Sequence, residues 1–397
     1  MIVVFLNNKL ISCDTVVPLV KELSEAGNRT NFEFLCFDAP TYKGIRDNIV
    51  LSDAIDSMGT LRMLGRKRKS FIGGILHRFT VFPEIFRYLL LGLTSKATFI
   101  HFKALDEWPL KILSVFCPGR TILVQGSAIG YAPLEKKVSE MILPRTYSTR
   151  EPMGDTILAF NKDWMVLDDP RIKSKDLFFL SPPFSRRSWM NYLEKKQGQY
   201  FETAFRESNV EPRNEIVPFM LCWMGPNNQT RRPDMYPELF DETLGMLEKH
   251  CSSLPIFVKP HPADAANEDS RKQLQNIIEK HPGLDVVITH LHPLVLSYRA
   301  RFFIANTYTT TFSFARFSNI PTIEYTDYRD EILKETNFNS MRPDMVTNFI
   351  NHDQEKLSAT LDELMRIPKA QRPVGVQEPL PEKLSWLAGI SQSNPKQ

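Results

Sequence analysis

An apolar run, Leu254–Val258, ends in Lys259-Pro260-His261-Pro262. An ammonium and an imidazole are groups that hold phosphate or move a proton. The prolines on either side of His261 fix φ and remove two backbone donors, so the ring is presented with little conformational freedom. Further along stands Asn306-Thr307-Tyr308-Thr309-Thr310-Thr311, with four threonines in five positions. Residues 300–321 predict a strand, a hydroxyl-rich turn and a helix. A helix start offers unpaired N–H groups and partial positive charge, and so attracts anions. A cap accounts for one threonine; the others would add hydroxyl donors to the same spot.

Other polar groups fall at strand ends nearby: Gly225-Pro226-Asn227-Asn228, Thr289-His290-Leu291-His292, and Glu324-Tyr325-Thr326-Asp327. Lys259 has a plainer alternative on the domain surface, and His281 before Pro282 suits a helix terminus. His290 and His292 alternate, with no cysteine or acid at metal-site spacing, so no metal site is expected. The chain has no GxxxxGK[ST] loop, no GxGxxG and no GxSxG elbow. P-loop hydrolysis, dinucleotide chemistry and serine hydrolysis are therefore unsupported.

The elements that must position these residues follow a repeated rhythm. Strand-like "MIVVFL", "NFEFLCF", "ATFIHF", "RTILVQG" and "DLFFLSPPF" alternate with helical segments. A polar, helical connection follows, and then a second series: "EIVPFMLCWMG", "LPIFVKP", "LDVVIT", "ARFFIAN" and "IPTIEY". Strands alternating with helices imply parallel sheets covered on both faces. The reading is α/β, with two Rossmann-like domains facing a central cleft. The first is 1–190, the linker 191–213 and the second 214–350. Residues 351–397 hold one more amphipathic helix and an irregular, proline-rich tail packed back across the molecule. Ligands of such sheets bind at the carboxyl ends of the strands, where Lys259, His261, Asn306 and the threonines fall.

Bulk numbers bound the rest. A length of 397 residues suits two domains, and 42% hydrophobic with 24% charged residues suits a globular chain. A net charge of +3 gives no sign of a nucleic-acid partner. The five scattered cysteines suit a reducing compartment. No signal peptide and no spanning run is visible, which predicts a cytoplasmic protein. Residues 65–93 open with Arg66-Lys67-Arg68-Lys69 and continue rich in aromatic and aliphatic residues. One reading of them is peripheral contact with an anionic membrane on its cytoplasmic face. The other is a solvated turn before a packed helix.

The Lys259–Pro262 strand end and the threonine turn after it, set in two Rossmann-like domains, resemble GT-B glycosyltransferases of bacterial surface polysaccharides. The nearest similarity is to sialyltransferases and capsule Kdo transferases, whose HP and Ser/Thr motifs bind the cytidine nucleotide and its phosphate. His261 matches the HP histidine, and Thr309, Thr310 and Thr311 match the Ser/Thr motif. Asn7-Asn8-Lys9 departs from the family, lacking the glycines frequent in its first loop. The resemblance implies an inverting, metal-independent transfer from a nucleotide-sugar co-substrate, of CMP-sugar type, to a glycan or lipid-linked acceptor. Lys259, His261, Asn227, Asn306 and the threonines would bind donor, and Glu324 its ribose. A base should come from the first domain: Asp14, Asp106 or Glu107. Asp14 also suits an N-cap, and Asp106-Glu107 a helix start. CDP-glycerol phosphotransferases share these features. A sugar-nucleotide epimerase and a catalytically silent binding module stay open.

Overall fold

The computed structural model describes residues 1–6, 10–26, 31–64, 71–102, 110–125, 134, 137–138, 154–160, 162, 176–222, 236–261, 267–368 and 375–380, without the side chains of 10–13, 71–80 and 110. The chain forms two compact units. The first comprises Met1–Gly130, Tyr147–Tyr192 and Gly375–Gln397, and the second Tyr131–Thr146 and Leu193–Val374.

In the first unit the elements run β1 (Ile2–Leu6), α1 (Leu10–Ala26), β2 (Phe32–Cys36), α2 (Ala39–Asp47), α3 (Ile49–Met58), β3 (Gly59–Met63), α4 (Phe71–Leu93), β4 (Thr98–Phe102), α5 (Leu110–Phe116), β5 (Thr121–Val124), β6 (Thr156–Ala159) and β7 (Asp176–Phe179). All pairings are parallel, in the order β3-β2-β1-β4-β5-β6-β7. β1 is buried at all five positions, because helices cover both faces and alternation is not required of it. Helix starts are written in side chains: Asp38 accepts from the Thr41 N–H at 2.8 Å and Asn48 from the Leu51 N–H at 3.2 Å. Val3, Phe5, Leu35, Val81, Ile85, Tyr88 and Phe99 share one core.

α6 (Arg187–Ser208) carries the chain from the first unit into the second. The second unit then runs β8 (Val217–Met220), α7 (Tyr236–Cys251), β9 (Ile256–Lys259), α8 (Glu268–Ile278), β10 (Val286–Ile288), α9 (Pro293–Leu296), β11 (Phe303–Ala305), α10 (Phe312–Phe317), β12 (Thr322–Thr326), α11 (Asp330–Glu335), β13 (Asn348–Asn351) and α12 (Gln354–Arg366). Its sheet is also all parallel, in the order β10-β9-β8-β11-β12-β13. Val217, Phe219, Leu244, Val258, Ile304, Ile323 and Leu361 belong to its core. Burying a side chain of this kind contributes about 1.5–3 kcal/mol.

The two-sheet α/β reading is what the structure shows. β3, β6 and β13 go beyond the strands read from sequence. The 191–213 linker is mostly the continuation of α6, the 131–146 stretch lies in the second unit, and the tail returns to the first. Val376 there exchanges backbone bonds with Ser185 and Arg187. Arg186, 1% exposed, pairs with Glu22 and with Glu378 at 3.1 Å.

Candidate functional site

In the second unit β8 is flanked by β9 on one side and β11 on the other, so the winding reverses between β8 and β11. The carboxyl edge at such a reversal is where an open α/β sheet leaves a crevice for a ligand. Register sets what stands there. Met220 pairs with Lys259, Phe219 with Ile304, and Ala305 with Glu324. Lys259, Met220, Ala305 and Glu324 therefore form one row across four strands, with side chains on one face. The next row, including Leu221, Asn306, Tyr325 and Ile350, faces the other way, into the core beneath α7 and α12.

That alternation separates two of the sequence candidates. Asn306 is fully buried, and its amide donates to Thr243 Oγ1 at 2.8 Å and to the Tyr325 carbonyl at 3.1 Å. In the structure it braces β11 against α7 and β12. Glu324 lies on the other face, also fully buried, where Tyr328 donates a short hydrogen bond to its Oε1. Burial pushes the Glu324 carboxyl up to about 7, against opposing help from the Ser340 and Tyr328 hydroxyls and the Tyr308 N–H. The Tyr328 phenol is raised well above its ordinary value by burial and by Glu324. The same phenol lies 3.3 Å from Thr307 Oγ1 and accepts from the Tyr308 N–H at 3.4 Å. Glu324 thus supports the threonine turn from below.

Lys259 and His261, both half-buried, sit at the β9 end. The Lys259 ammonium donates to the His290 carbonyl at 3.3 Å, which holds the side chain along the carboxyl edge. α8 begins only at Glu268, with Asn267 as its cap and Glu268 and Asp269 in its first turn. Its positive end already faces carboxylates, so the local donors are Lys259 and His261 and not that helix.

The threonine turn differs from a simple cap. Thr311 holds the N-cap position of α10 without a side-chain bond to the helix. Thr309 and Thr311, half-buried, place their hydroxyl oxygens 3.0 Å apart, and Thr310 is exposed. The N–H groups of Phe312, Ser313 and Phe314 donate to the carbonyls of Thr309, Thr310 and Thr311. What the turn offers a ligand is hydroxyl groups, where the sequence led us to expect helix amides as well.

Three other histidines, His292, His281 and His250, have structural work. His292 is fully buried and held neutral; burial, then the Lys259 charge, lowers it to about 3. Its Nδ1 accepts from the Leu294 N–H at 3.1 Å, so it caps α9. His281, at the end of α8, meets Asp241 at 2.7 Å and Glu248 at 3.3 Å. His250 lies 2.8 Å from Asp362 and 2.9 Å from Ser358 Oγ, which has the spacing of a serine triad. Ser358, however, is in the second turn of α12, where backbone N–H groups are engaged within the helix and none is left as an oxyanion donor. The trio clasps α7 to α12. No sequence motif announced it.

In the first unit the winding reverses between β1 and β4. Asn7-Asn8-Lys9 follows β1 and Asp106-Glu107 follows β4, and both stretches lie outside the described residues, as does Asn227. Asp14 is inside α1, which starts at Leu10, so it is not the N-cap the sequence suggested. Among the described residues no group of three or more His, Cys, Asp or Glu could hold a metal ion.

No protein-family model matches the chain, and no curated protein does. Solved structures do. UDP-GlcNAc 2-epimerase from Methanocaldococcus jannaschii superposes with a TM-score of 0.55 at 13% identity, over 94% of this chain and 96% of that one. UDP-GlcNAc 2-epimerase from Neisseria meningitidis bound to UDP-GlcNAc gives 0.52 at 10% identity, over 93% and 95%. A UDP-bound ugt transferase from Siraitia grosvenorii gives 0.47 at 10%, over 92% and 91%. The fold is of the GT-B type: two Rossmann-like domains with parallel sheets of seven and six strands.

Proposed function

We propose that the chain is a sugar-nucleotide glycosyltransferase whose second unit receives the donor. One observation carries this reading: Lys259 and His261 end the strand on one side of β8, and the Thr309–Thr311 hydroxyls follow the strand on the other. A cation, an imidazole and hydroxyls around one sheet reversal suit a diphosphate or a nucleoside monophosphate. As the glycosidic bond breaks, negative charge grows on the leaving phosphate oxygen. Donors already in place lower that barrier without reorganising. Lys259, His261 and the threonines are electrostatic stabilisers in this scheme, and neither the lysine nor the histidine acts as a nucleophile.

An inverting transfer also needs a base for the acceptor hydroxyl of a glycan or lipid-linked acceptor, and Glu107, Asp106 or Asp14 supplies it. A CMP-sugar of sialic acid or Kdo type is the donor drawn from the HP-motif resemblance. A second reading, a sugar-nucleotide epimerase, is favoured by the fold likeness to two UDP-GlcNAc 2-epimerases.

A thermal-shift panel of CMP, CDP, UDP and UDP-GlcNAc on wild type and His261→Ala tests the phosphate role. A ligand that binds only the folded chain stabilises it by about 2.7 kcal/mol at a hundredfold excess over its Kd. Stabilisation by one nucleotide that is lost in His261→Ala supports the site; no shift with any of them removes it. Incubation with sugar nucleotide alone then separates the readings, because an epimerase yields an epimer without acceptor, whereas a transferase releases nucleotide when acceptor is added.

A further inference from the structure

We propose that the exposed face built by α4 and α5 docks on an anionic lipid bilayer. Phe82, Phe86, Leu90 and Leu93 on α4 are 56%, 48%, 47% and 55% exposed. Steps of four, four and three residues align them in one stripe, about 16 Å long. The rings of Phe82 and Phe86 stack with centroids 6.2 Å apart. The side of α4 that packs inward is already filled by Val81, Ile85 and Tyr88, so the stripe is surplus to the core. α5 packs beside α4 and adds Val115 and Phe116, which are 62% and 55% exposed. The close approach depends on Gly92, where a Cβ would come within 2.8 Å of the Phe99 ring and also meet the Cys117 sulfur. A cluster of large apolar side chains left in water marks an interaction surface.

Charge selects the occupant. Across 71–102 and 110–125 the sequence carries Arg78, Arg87, Lys96, Lys111 and Arg120 against one acid, Glu84. That acid is engaged with Arg62 at 3.0 Å, and among the cations Arg87 is engaged with Glu33 at 3.2 Å. Lys96 and Lys111 are exposed. A second copy of the chain would bring the same cations face to face, since a two-fold interface joins a patch to itself. An anionic bilayer matches both features: aromatic and aliphatic side chains enter the acyl boundary while lysines and arginines meet the headgroups. Among the described residues no helix is long and apolar enough to cross a membrane, so α4 would lie in the interface. The cation run 66–69 lies outside the described residues, and the proposal rests on the others.

Co-sedimentation of the full chain, without nucleotide, with phosphatidylcholine vesicles and with vesicles containing about 30 mol% phosphatidylglycerol is the test. Binding should be confined to the anionic vesicles and weaken with salt. It should fall by about tenfold or more in Phe82→Ser/Phe86→Ser/Leu90→Ser. Lys96→Glu/Lys111→Glu should weaken it with the stripe intact. Absence of anionic binding, equal binding to neutral vesicles, or binding unchanged in both variants would overturn the proposal. A dimer lost in the serine variant, with no vesicle binding, would assign the face to a second copy instead. The proposal does not rest on the transferase reading, since the nucleotide thermal shifts should be the same in the serine variant and the wild type.

Discussion

Glu324→Gln keeps the volume of a fully buried side chain and its bond from Tyr328, and removes only the ability to ionise. In the wild type the carboxyl sits at about 7 where its ordinary value is 4.5, and burial is the main cause. The folded chain therefore holds a proton on Glu324 over a pH range in which the unfolded chain has released it. Folding takes up a proton there, so stability falls as pH rises. The contribution is whole below about 4.5, declines up to about 7 and is level above that. The separation of the two values corresponds to about 3 kcal/mol. From about pH 5 to about pH 8 the wild type should lose about 2–3 kcal/mol more than Glu324→Gln. Three other carboxylates are held below their ordinary values: Asp241 chiefly by Lys280, Asp344 by Arg342 and Glu378 by the Ser181 amide. They act in the opposite sense, adding stability that is lost only as pH falls below about 4, and they cancel between the two proteins. Urea unfolding of both proteins across this range measures the difference. Parallel pH profiles would refute the assignment of a protonated Glu324 to the folded state.

Asn306→Ala leaves Thr243 and the Tyr325 carbonyl without their buried partner, and should cost about 1–3 kcal/mol in urea unfolding. Nucleotide affinity of the folded fraction should be unchanged if Asn306 is a brace, and lower if it touches the ligand. Arg186→Met removes the buried cation of an ionic cluster whose carboxylates are partly exposed, and should destabilise the first unit by about 1–3 kcal/mol; limited proteolysis should then cut near 375–380 sooner than in the wild type. Asp106→Asn and Glu107→Gln separate a base from a cap. The base variant should lose about 10²–10⁴ in kcat with unchanged donor KM, while a cap variant should lose about 1 kcal/mol of stability and keep its activity.

Most of the apolar strands were legible in the sequence, although β6, Thr156–Ala159, buried at all four positions, was not. "MIVVFL" and "LPIFVKP" signal themselves because both sheet faces are covered, and the run needs no alternation. β3, Gly59–Met63, and β13, Asn348–Asn351, were not, because as edge strands they carry few apolar residues: only Leu61 and Ile350 are buried in them. At the candidate site the residue types were legible and their directions were not. Asn306 and Thr307 are adjacent in sequence, yet one points into the α7 face and the other toward Tyr328. A period of two reverses with any one-residue error in register, and register is set by strand partners that the local sequence does not name. The apolar stripe of α4 was partly legible within 65–93, but its extension onto α5 depends on a packing contact between distant segments.

Both sheets share the order 3-2-1-4 about their first strand, so each unit has its own reversal, at β1/β4 and at β8/β11. The chemistry-bearing residues do not divide evenly between them. Around the second reversal stand Lys259, His261 and three threonine hydroxyls, while the nearby carboxyl, Glu324, is buried and half-protonated near neutral pH. Local charge at that edge is therefore donor-rich, which suits an anion and suits a proton acceptor poorly. The segment that follows β4 carries Asp106 and Glu107, the acids proposed for the proton transfer. In the proposed transferase, phosphate stabilisation and deprotonation would fall to different sheets, an arrangement that keeps a carboxylate from repelling the phosphate. Introducing an acid at Thr310, which is exposed in the turn, should therefore abolish nucleotide stabilisation while leaving the melting temperature of the free protein nearly unchanged. Retained binding in Thr310→Glu would separate the threonine turn from the phosphate and leave Lys259 and His261 as its sole candidates.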